Sequence, residues 1–381
     1  MDEPGCDVAI VGGGLVGLSL AFEMADRGAM VTLIDAGFPG RATDAGAGIL
    51  SPDTSADPDP AAFALASAAG VHYPDLLARL ARAGIDVAAS SYDNCGLLSV
   101  GLRPHEDTWF APFAEMVTAR SPEVVSEITP AAAQHSFPPL GSIDRALHCT
   151  SAARVDGRGM AEVLRRGVSA LGVRMVTGVV RGVVAHTANS TVRTVQRIEV
   201  EGEPDVICGA VAVTGGAWSA DMGDWLGCPL PIAPVKGQIV HLGVSGPSAE
   251  WPIVQPLMTH YIVPWPGGRV ACGGTFEVGA GFDPTVTAVG LQELLRECLI
   301  VAPGLAQAQY LHTRVGLRPV SADDRPVVGR VPGWHNAWVV TGHGAGGLLL
   351  GPYSAALVAG LINGEDAKVW SALSPDRFCA A

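Results

Sequence analysis

Lysine is nearly missing from this 381-residue chain: Lys236 and Lys368 are the only two. Arginine does not make up the difference, because the formal net charge is −13. Phosphate backbones and anionic bilayers are gripped by clustered cations, so neither nucleic acid nor a membrane is an expected partner. None of the eight cysteines falls in a C-x-x-C pair. No zinc or redox framework is visible, and a reducing compartment is the simpler reading. Also missing is an uninterrupted apolar run of the ~18 residues that a membrane span requires. The longest, Leu348 to Ile362, is broken by Gly351, Pro352, Ser354 and Gly360. The first residues carry acid, Asp2 and Glu3, where a signal peptide carries base. The expectation is a cytoplasmic protein. Charged residues are only 16% against 48% hydrophobic, a balance that describes a globular chain of about two or three domains.

What the chain has in plenty is glycine, and it is placed rather than smeared. Val8 to Val11 is a continuous apolar run, as befits a strand buried on both faces. Gly12-x-Gly14-x-x-Gly17 follows, then a helical apolar rhythm (Leu18, Ala21, Phe22, Ala25) that stops at Gly28. A second buried strand, Met30 to Ile34, closes on Asp35. Each position of this unit has a physical role. Gly12 permits the tight turn, Gly14 lets backbone approach a pyrophosphate, and Gly17 lets helix and strand pack closely. The helix N-terminus then offers free N–H groups to phosphate. Asp35, 23 residues after Gly12, suits a ribose and argues against a 2′-phosphate.

Further on, Ala61 to Ala83 reads as a helix broken near Gly70 and Pro74. Met160 to Leu171 and Leu291 to Leu299 read as helices. Val173 to Val184, Val192 to Val200 and Val206 to Val213 have strand character, and short β runs fill Ile239 to Gly274. Near the far end a buried strand, Trp338 to Thr341, runs into a second Gly-rich turn, Gly342 to Gly347, and an apolar helix ending at Ile362. That second turn returns the C-terminus to the sheet of the N-terminus. A flavin held by both ends of the chain fits this layout better than a nicotinamide. The expected fold is α/β (α+β), with a discontinuous Rossmann-like FAD-binding domain (1–90, 148–222 and 318–381). The inserted antiparallel-sheet substrate domain would take 91–147 and 223–317.

With these residues in order, the chain resembles the glycine oxidase and D-amino-acid oxidase family of FAD-dependent enzymes. It is most like the bacterial glycine oxidases of the thiamine-type branch. The resemblance spans nearly the whole chain. It rests on Asp7 to Asp35, Arg41 to Leu50, Gly96 to Leu98, Val211 to Ser219, Pro234 to Gln238, Tyr261 to Pro264, Gly316 to Pro319, Asp324 to Gly329 and Gly342 to Gly347. It implies that Leu15 and Val16 sit over the FAD phosphates and Asp35 and Ala36 at the adenosine ribose. Val179 would meet the adenine half. Ala42, Thr43, Ala47, Gly48 and Ile49 would line the flavin, as would the run His343, Gly344, Ala345, Gly346, Gly347, Leu348 and Leu349. Arg318 and Tyr261 would bind the substrate carboxylate, and the Ala345 carbonyl would accept from its amine. Glycine oxidases of this type often carry Arg where Ala345 stands, so space is expected for a substrate larger than glycine unless Trp265 or Met258 fills it. No cysteine lies between Cys298 and Cys379, so the FAD should be non-covalent.

The residues' own chemistry agrees. An amino acid needs a cation for its carboxylate, and the arginine fork binds one bidentately. The alternative for Arg318 is a structural ion pair with Asp323 or Asp324. For Tyr261 it is a plain half-buried strand tyrosine, and for His343 and His260 it is packing. Lys236 reads as a strand-edge residue. The implied reaction is oxidative deamination of glycine, a small glycine derivative or a D-amino acid. Hydride passes to flavin N5, the imine is hydrolysed to an oxo acid, and dioxygen becomes hydrogen peroxide. The cofactor carries this chemistry while protein supplies orientation and charge. The alternatives are a dehydrogenase that passes electrons to a quinone or other carrier, and a non-catalytic flavin-binding regulator. Whether the chain forms a homo-oligomer is left open.

Overall fold

A computed structural model of the chain describes residues 5–187, 192–365 and 371–379; Lys368 lies outside them. The opening unit forms as its pattern predicts: β1 (Cys6–Val11), helix α1 (Leu15–Asp26) and β2 (Val31–Asp35). Gly28 ends the helix with φ at +88°. A two-residue β3 (Ile49–Leu50) and helix α2 (Pro60–Arg82) follow. The helix does not break at Gly70 or Pro74. Its buried stripe of Leu65, Tyr73, Leu76, Leu77 and Leu80 runs through the proline. Burying one leucine is worth roughly 1.5–3 kcal/mol, so several together outweigh the ~3 kcal/mol cost of a mid-helix proline.

Next come β4 (Leu97–Gly101), α3 (Asp107–Arg120), β5 (Val125–Ile128), α4 (Pro130–Ser136) and β6 (Arg145–Cys149). A short β7 (Ala153–Arg154) pairs back with β3. Helix α5 (Gly157–Ala170) then leads to β8 (Arg174–Thr177), β9 (Val180–Thr187), β10 (Arg193–Val200), β11 (Val206–Val213) and α6 (Ser219–Leu226). The later insert holds β12 (Ile232–Gly243), β13 (Ile253–Pro256), β14 (Tyr261–Trp265), β15 (Arg269–Gly273), β16 (Glu277–Val278), α7 (Ala288–Val301) and β17 (Gln309–Ser321). The chain closes with β18 (Val327–Arg330), β19 (Ala337–Thr341) and α8 (Gly347–Ile362).

Two large sheets result. The first runs β18-β19-β11-β1-β2-β8, with β9 and β10 joined through β11. β1 lies parallel between β2 and β11, and β19 lies parallel to β11. The chain's last strands therefore do return to the sheet of its first. The second sheet runs β16-β12-β15-β14-β13-β4-β6-β5, with β17 beside β12. It is antiparallel except where β13 meets β4. The expected boundaries at 148, 223 and 318 each fall inside an element, β6, α6 and β17.

Three further findings differ from the sequence reading. Gln309–Ser321 carries no strand period because two arginines, a histidine, a glycine and a proline interrupt it, yet it forms a full strand against β12. Cys228 and Cys379 are joined by a disulfide across 151 residues, a separation that short-range cysteine spacing cannot reveal. The segment Gly344–Ile362 is long and apolar enough to cross a bilayer by length and composition. It packs instead into the core with α1 and α2, burying Ala355, Val358 and Ala359.

Arg154 stitches the first strands to the second sheet. Its side chain is 1% exposed and ion-pairs with Asp93 at 2.8 Å. It also donates to Pro264 O at 2.5 Å and Ala249 O at 2.7 Å. Arg154→Leu should leave these acceptors unpaired and lower stability by about 3 kcal/mol, measured by equilibrium urea unfolding.

Candidate functional site

Backbone crowding shapes the first turn. Gly12 has φ +114°, and a Cβ there would stand 2.5 Å from Thr214 O. A Cβ on Gly17 would collide with Gly12 O. The Thr214 hydroxyl lies 3.0 Å from Val11 O and 2.9 Å from Gly12 O, clamping the strand end. Gly14 caps α1 and faces open space: a Cβ there would meet only Thr43 Oγ1, at 3.5 Å. The Leu15 amide donates to that hydroxyl at 3.0 Å, leaving the Val16 and Gly17 amides as unpaired donors of the first turn. At the end of β2, Asp35 Oδ1 accepts from the Gly37 amide and from Arg41 Nη2, both at 2.6 Å. A side chain on Gly13 would collide with this carboxylate. That requirement lies outside the three-glycine motif.

A cavity of about 640 Å³ opens from this turn to the second sheet. Gly12, Gly14, Leu15, Val16, Asp35, Ala36 and Val179 line one part of it. Ala42, Thr43, Ala47, Gly48, Ile49, His343, Gly344, Ala345, Gly347 and Leu348 line the middle. Three expected residues do not face it. Gly17 is spent on the contact with Gly12. Leu349 packs against the core cluster under α8, and Gly346 turns toward Leu350. Glycines without Cβ, free helix-end amides and a carboxylate at the end of the second strand are the donor and acceptor set a dinucleotide needs. The residues present therefore fit FAD. None of the free cysteines lines the cavity.

The second sheet brings Arg318 and Tyr261 to the opposite wall. Arg318 leaves β17 and lies across Gly237, where any Cβ would strike its guanidinium. Its Nη1 donates to Thr275 O at 2.9 Å. Among the described residues it has no carboxylate partner. The alternative pairing is overturned, since Asp323 binds Arg377 at 2.7 Å and Asp324 is exposed. A Cβ on Gly274 would stand 3.1 Å from both Arg318 Nη2 and Tyr261 Oη, so the two groups share one spot. Burial pushes the Tyr261 phenol up to about 12, and the neighbouring Arg318 opposes the shift. The phenol therefore keeps its proton as a donor at neutral pH.

Other candidates fall away. Lys236 is no edge residue: β12 is flanked on both sides, and its ammonium is buried against Glu277 at 3.5 Å, away from the cavity. His260 pairs with Glu293. His343 lines the cavity but is buried, its Nε2 3.1 Å from Ser354 Oγ. Burial pushes it down to about 4, so it stays neutral. Neither Trp265 nor Met258 lines the cavity; Trp265 is buried beside Gly48 and Met258 is exposed. The sequence reading misses Gln255, Ile239, Arg41 and an aromatic stack of Phe38, Trp218 and Phe282 with 5.4 Å between successive rings. It also misses an exposed apolar stretch holding Phe276, Val278, Phe282, Val286 and Val289.

The chain is similar over nearly its whole length to known proteins. Residues 7–361 match the family described as DAO: FAD dependent oxidoreductase. A glycine oxidase of Pseudomonas putida is 31% identical over 368 residues, covering 94% of this chain and 95% of that one. The crystal structure of an iminodiacetate oxidase from Chelativorans sp. BNC1 superposes with a TM-score of 0.88 at 33% identity, covering 97% of this chain and 98% of that one. A glycine oxidase from Geobacillus kaustophilus gives a TM-score of 0.87 at 26% identity, covering 98% and 99%. With the glycine turn, the fold and these matches over nearly its whole length, the chain belongs to the DAO family of FAD-dependent oxidoreductases.

Proposed function

We propose that the chain oxidises a small amino acid, such as glycine, an N-substituted glycine or a D-amino acid, with dioxygen as electron acceptor. For a glycine derivative, the amine, one dioxygen and one water give glyoxylate, the freed amine and hydrogen peroxide. The observation that carries this reading is Arg318, a cation on the cavity wall with no carboxylate of its own. Relatives described as glycine oxidase and iminodiacetate oxidase support the substrate class.

The chain's residues divide the work. Gly12 to Val16 would hold the FAD pyrophosphate, Asp35 and Ala36 the adenosine ribose, and Val179 the adenine. Ala42, Thr43, Ala47 to Ile49 and the turn from His343 to Leu348 would lie along the flavin. Bound FAD supplies the two-electron acceptor for oxidation at the substrate carbon. Arg318 binds the substrate carboxylate, and the Tyr261 phenol donates to the same group. The Ala345 carbonyl accepts from the amine and fixes its direction. Removal of a proton by a carboxylate is not needed. The cavity's acids are Asp35, bonded to Arg41, and Asp221. Neither stands on the second sheet beside Arg318. The insert of β12 to β17, with β4 to β6, would be the substrate domain.

One observation favours a second reading: the exposed apolar stretch from Phe276 to Val289 would suit contact with a carrier in a dehydrogenase. The deciding experiment incubates the purified protein with glycine, sarcosine, N-ethylglycine and D-alanine. Peroxide formed in step with substrate supports the oxidase. Reduction of a quinone without peroxide supports the dehydrogenase, and no turnover of any amino acid refutes both.

Arg318→Leu should lower kcat/KM for amino acids by about thirty- to several-thousandfold, the range of a lost buried charge partner. Amines without a carboxylate should be spared, and an equal fall for both would make Arg318 structural. Acid should release intact FAD from the protein. Asp35→Ala should weaken FAD affinity by about ten- to a hundredfold, measured by fluorescence titration, with substrate KM unchanged at saturating FAD. The pH dependence follows from His343. Its folded value of about 4 lies below the ordinary 6.5, so the unfolded chain takes up the proton first. Stability is full above pH 6.5 and falls as pH drops toward 4, by about 3 kcal/mol for this group. His343→Gln should flatten that acid limb in thermal-unfolding scans.

A further inference from the structure

Among the described residues Gln255 is the one amide side chain on the cavity wall, and none of them satisfies it. The hydroxyls of Thr43, Thr214 and Thr341 and the His343 ring, on the facing wall of the cavity, each have a protein partner. Gln255 has no hydrogen bond among the described residues, although its side chain is half-buried and Ile239 lines the wall with it. The amide is open to the cavity, so it is free to pair with a bound ligand. A pocket built this way favours a ligand that carries the matching polar atom over one that lacks it.

Register shows where that atom would be. Val254 on β13 faces Ile262 on β14. In an antiparallel pair the next facing positions are Gln255 and Tyr261, on the opposite face from Val254 and together on the cavity wall. The Tyr261 hydroxyl leans the other way, over Gly273 and Gly274 on and just after β15, to meet Arg318. With strands ~4.8 Å apart, β13 and β15 stand roughly 10 Å from each other. The carboxylate clamp thus sits at one end of a short slot and Gln255 at the other. Glycine held on Arg318 ends well before Gln255. A second acceptor carried on the substrate nitrogen by a one-carbon arm would reach toward it.

We propose that Gln255 is a specificity-determining residue whose amide donates to a second oxygen acceptor on the substrate. The preferred substrates are then N-substituted glycines whose substituent ends in a carboxylate or carbonyl. The inference rests on the amino-acid reading above and narrows its substrate class.

The test measures anaerobic flavin bleaching in the FAD-loaded protein with glycine, iminodiacetate and N-isobutylglycine, the last being an apolar isostere of iminodiacetate. The wild type should prefer iminodiacetate over the isostere by about ten- to a hundredfold in kcat/KM, the range of a hydrogen bond to a charged group. Gln255→Leu should abolish that preference, lowering iminodiacetate turnover by about ten- to a hundredfold and glycine turnover far less. Gln255→Glu should invert the preference by like-charge repulsion, and Gln255→Asn should restore part of it. Thermal unfolding of each variant confirms that the fold persists. A wild type that treats iminodiacetate and N-isobutylglycine alike overturns the proposal. So does a Gln255→Leu variant that loses glycine and iminodiacetate activity equally. Failure of every amino acid to bleach the flavin overturns the amino-acid reading itself, and the assignment of Gln255 with it.

Discussion

Everything at the cofactor end depends on how closely α1 approaches the end of β1. The chain turns at Gly12 with its carbonyl pressed against Gly17, and Thr214, just after β11, closes the gap by contacting both Val11 O and Gly12 O. Two segments far apart in sequence meet within hydrogen-bond distance. That contact sets the height of the helix over the sheet, and with it the position of the amides that open into the cavity. An added methyl at Gly12 or Gly17 would push the helix outward. The amides, Thr43 and the Asp35 to Arg41 pairing would then no longer share one wall.

Elsewhere the elements are tied together by arginine. Glu23 is fully buried; burial alone would raise its pKa, but bonds to Arg79 and Arg27 hold it below the usual carboxylate range. Asp156 is also held low, between Arg314 and Arg269. Arg154 meets Asp93. These forks lie where elements join, and each brings its own anion. Arg318 is built in the same way, on a strand beside backbone carbonyls, but without the anion. The difference between a structural arginine and a binding one is thus a missing partner, which local sequence does not record.

The legible parts of the chain were those whose physics is local. The βαβ opening could be read because three glycines, an apolar rhythm and one acid all lie within the first 35 residues. The return of the C-terminus could be read because Gly342 to Gly347 repeats the same strand-to-helix grammar. The opposite wall could not. β17 carries His312, Arg314, Gly316 and Arg318 along one face in place of apolar residues, the last two lining the cavity, so the alternation that marks a strand is missing where the strand is most functional. Arg318 and Tyr261 came from the family likeness, not from periodicity. Gln255 came from neither, because its significance lies in having no partner, and partners are visible only in three dimensions. Gly13 was passed over because the motif counts three glycines and the carboxylate it must avoid arrives from another strand.

The disulfide between Cys228 and Cys379 has a topological consequence. It closes a covalent ring that starts just after α6 and contains β12 to β17, α7, both closing strands and α8. The ring thus holds Arg318, Tyr261, Gln255 and the turn at Ala345 in one loop tied to the base of the first sheet. A chain-entropy view puts such a closure, for a loop of well over a hundred residues, at roughly 5 kcal/mol. The ring also sets what a nick can do. A peptide bond cut between residues 228 and 379 would leave both pieces attached, so the fragments would separate on a gel only after the sulfurs were reduced.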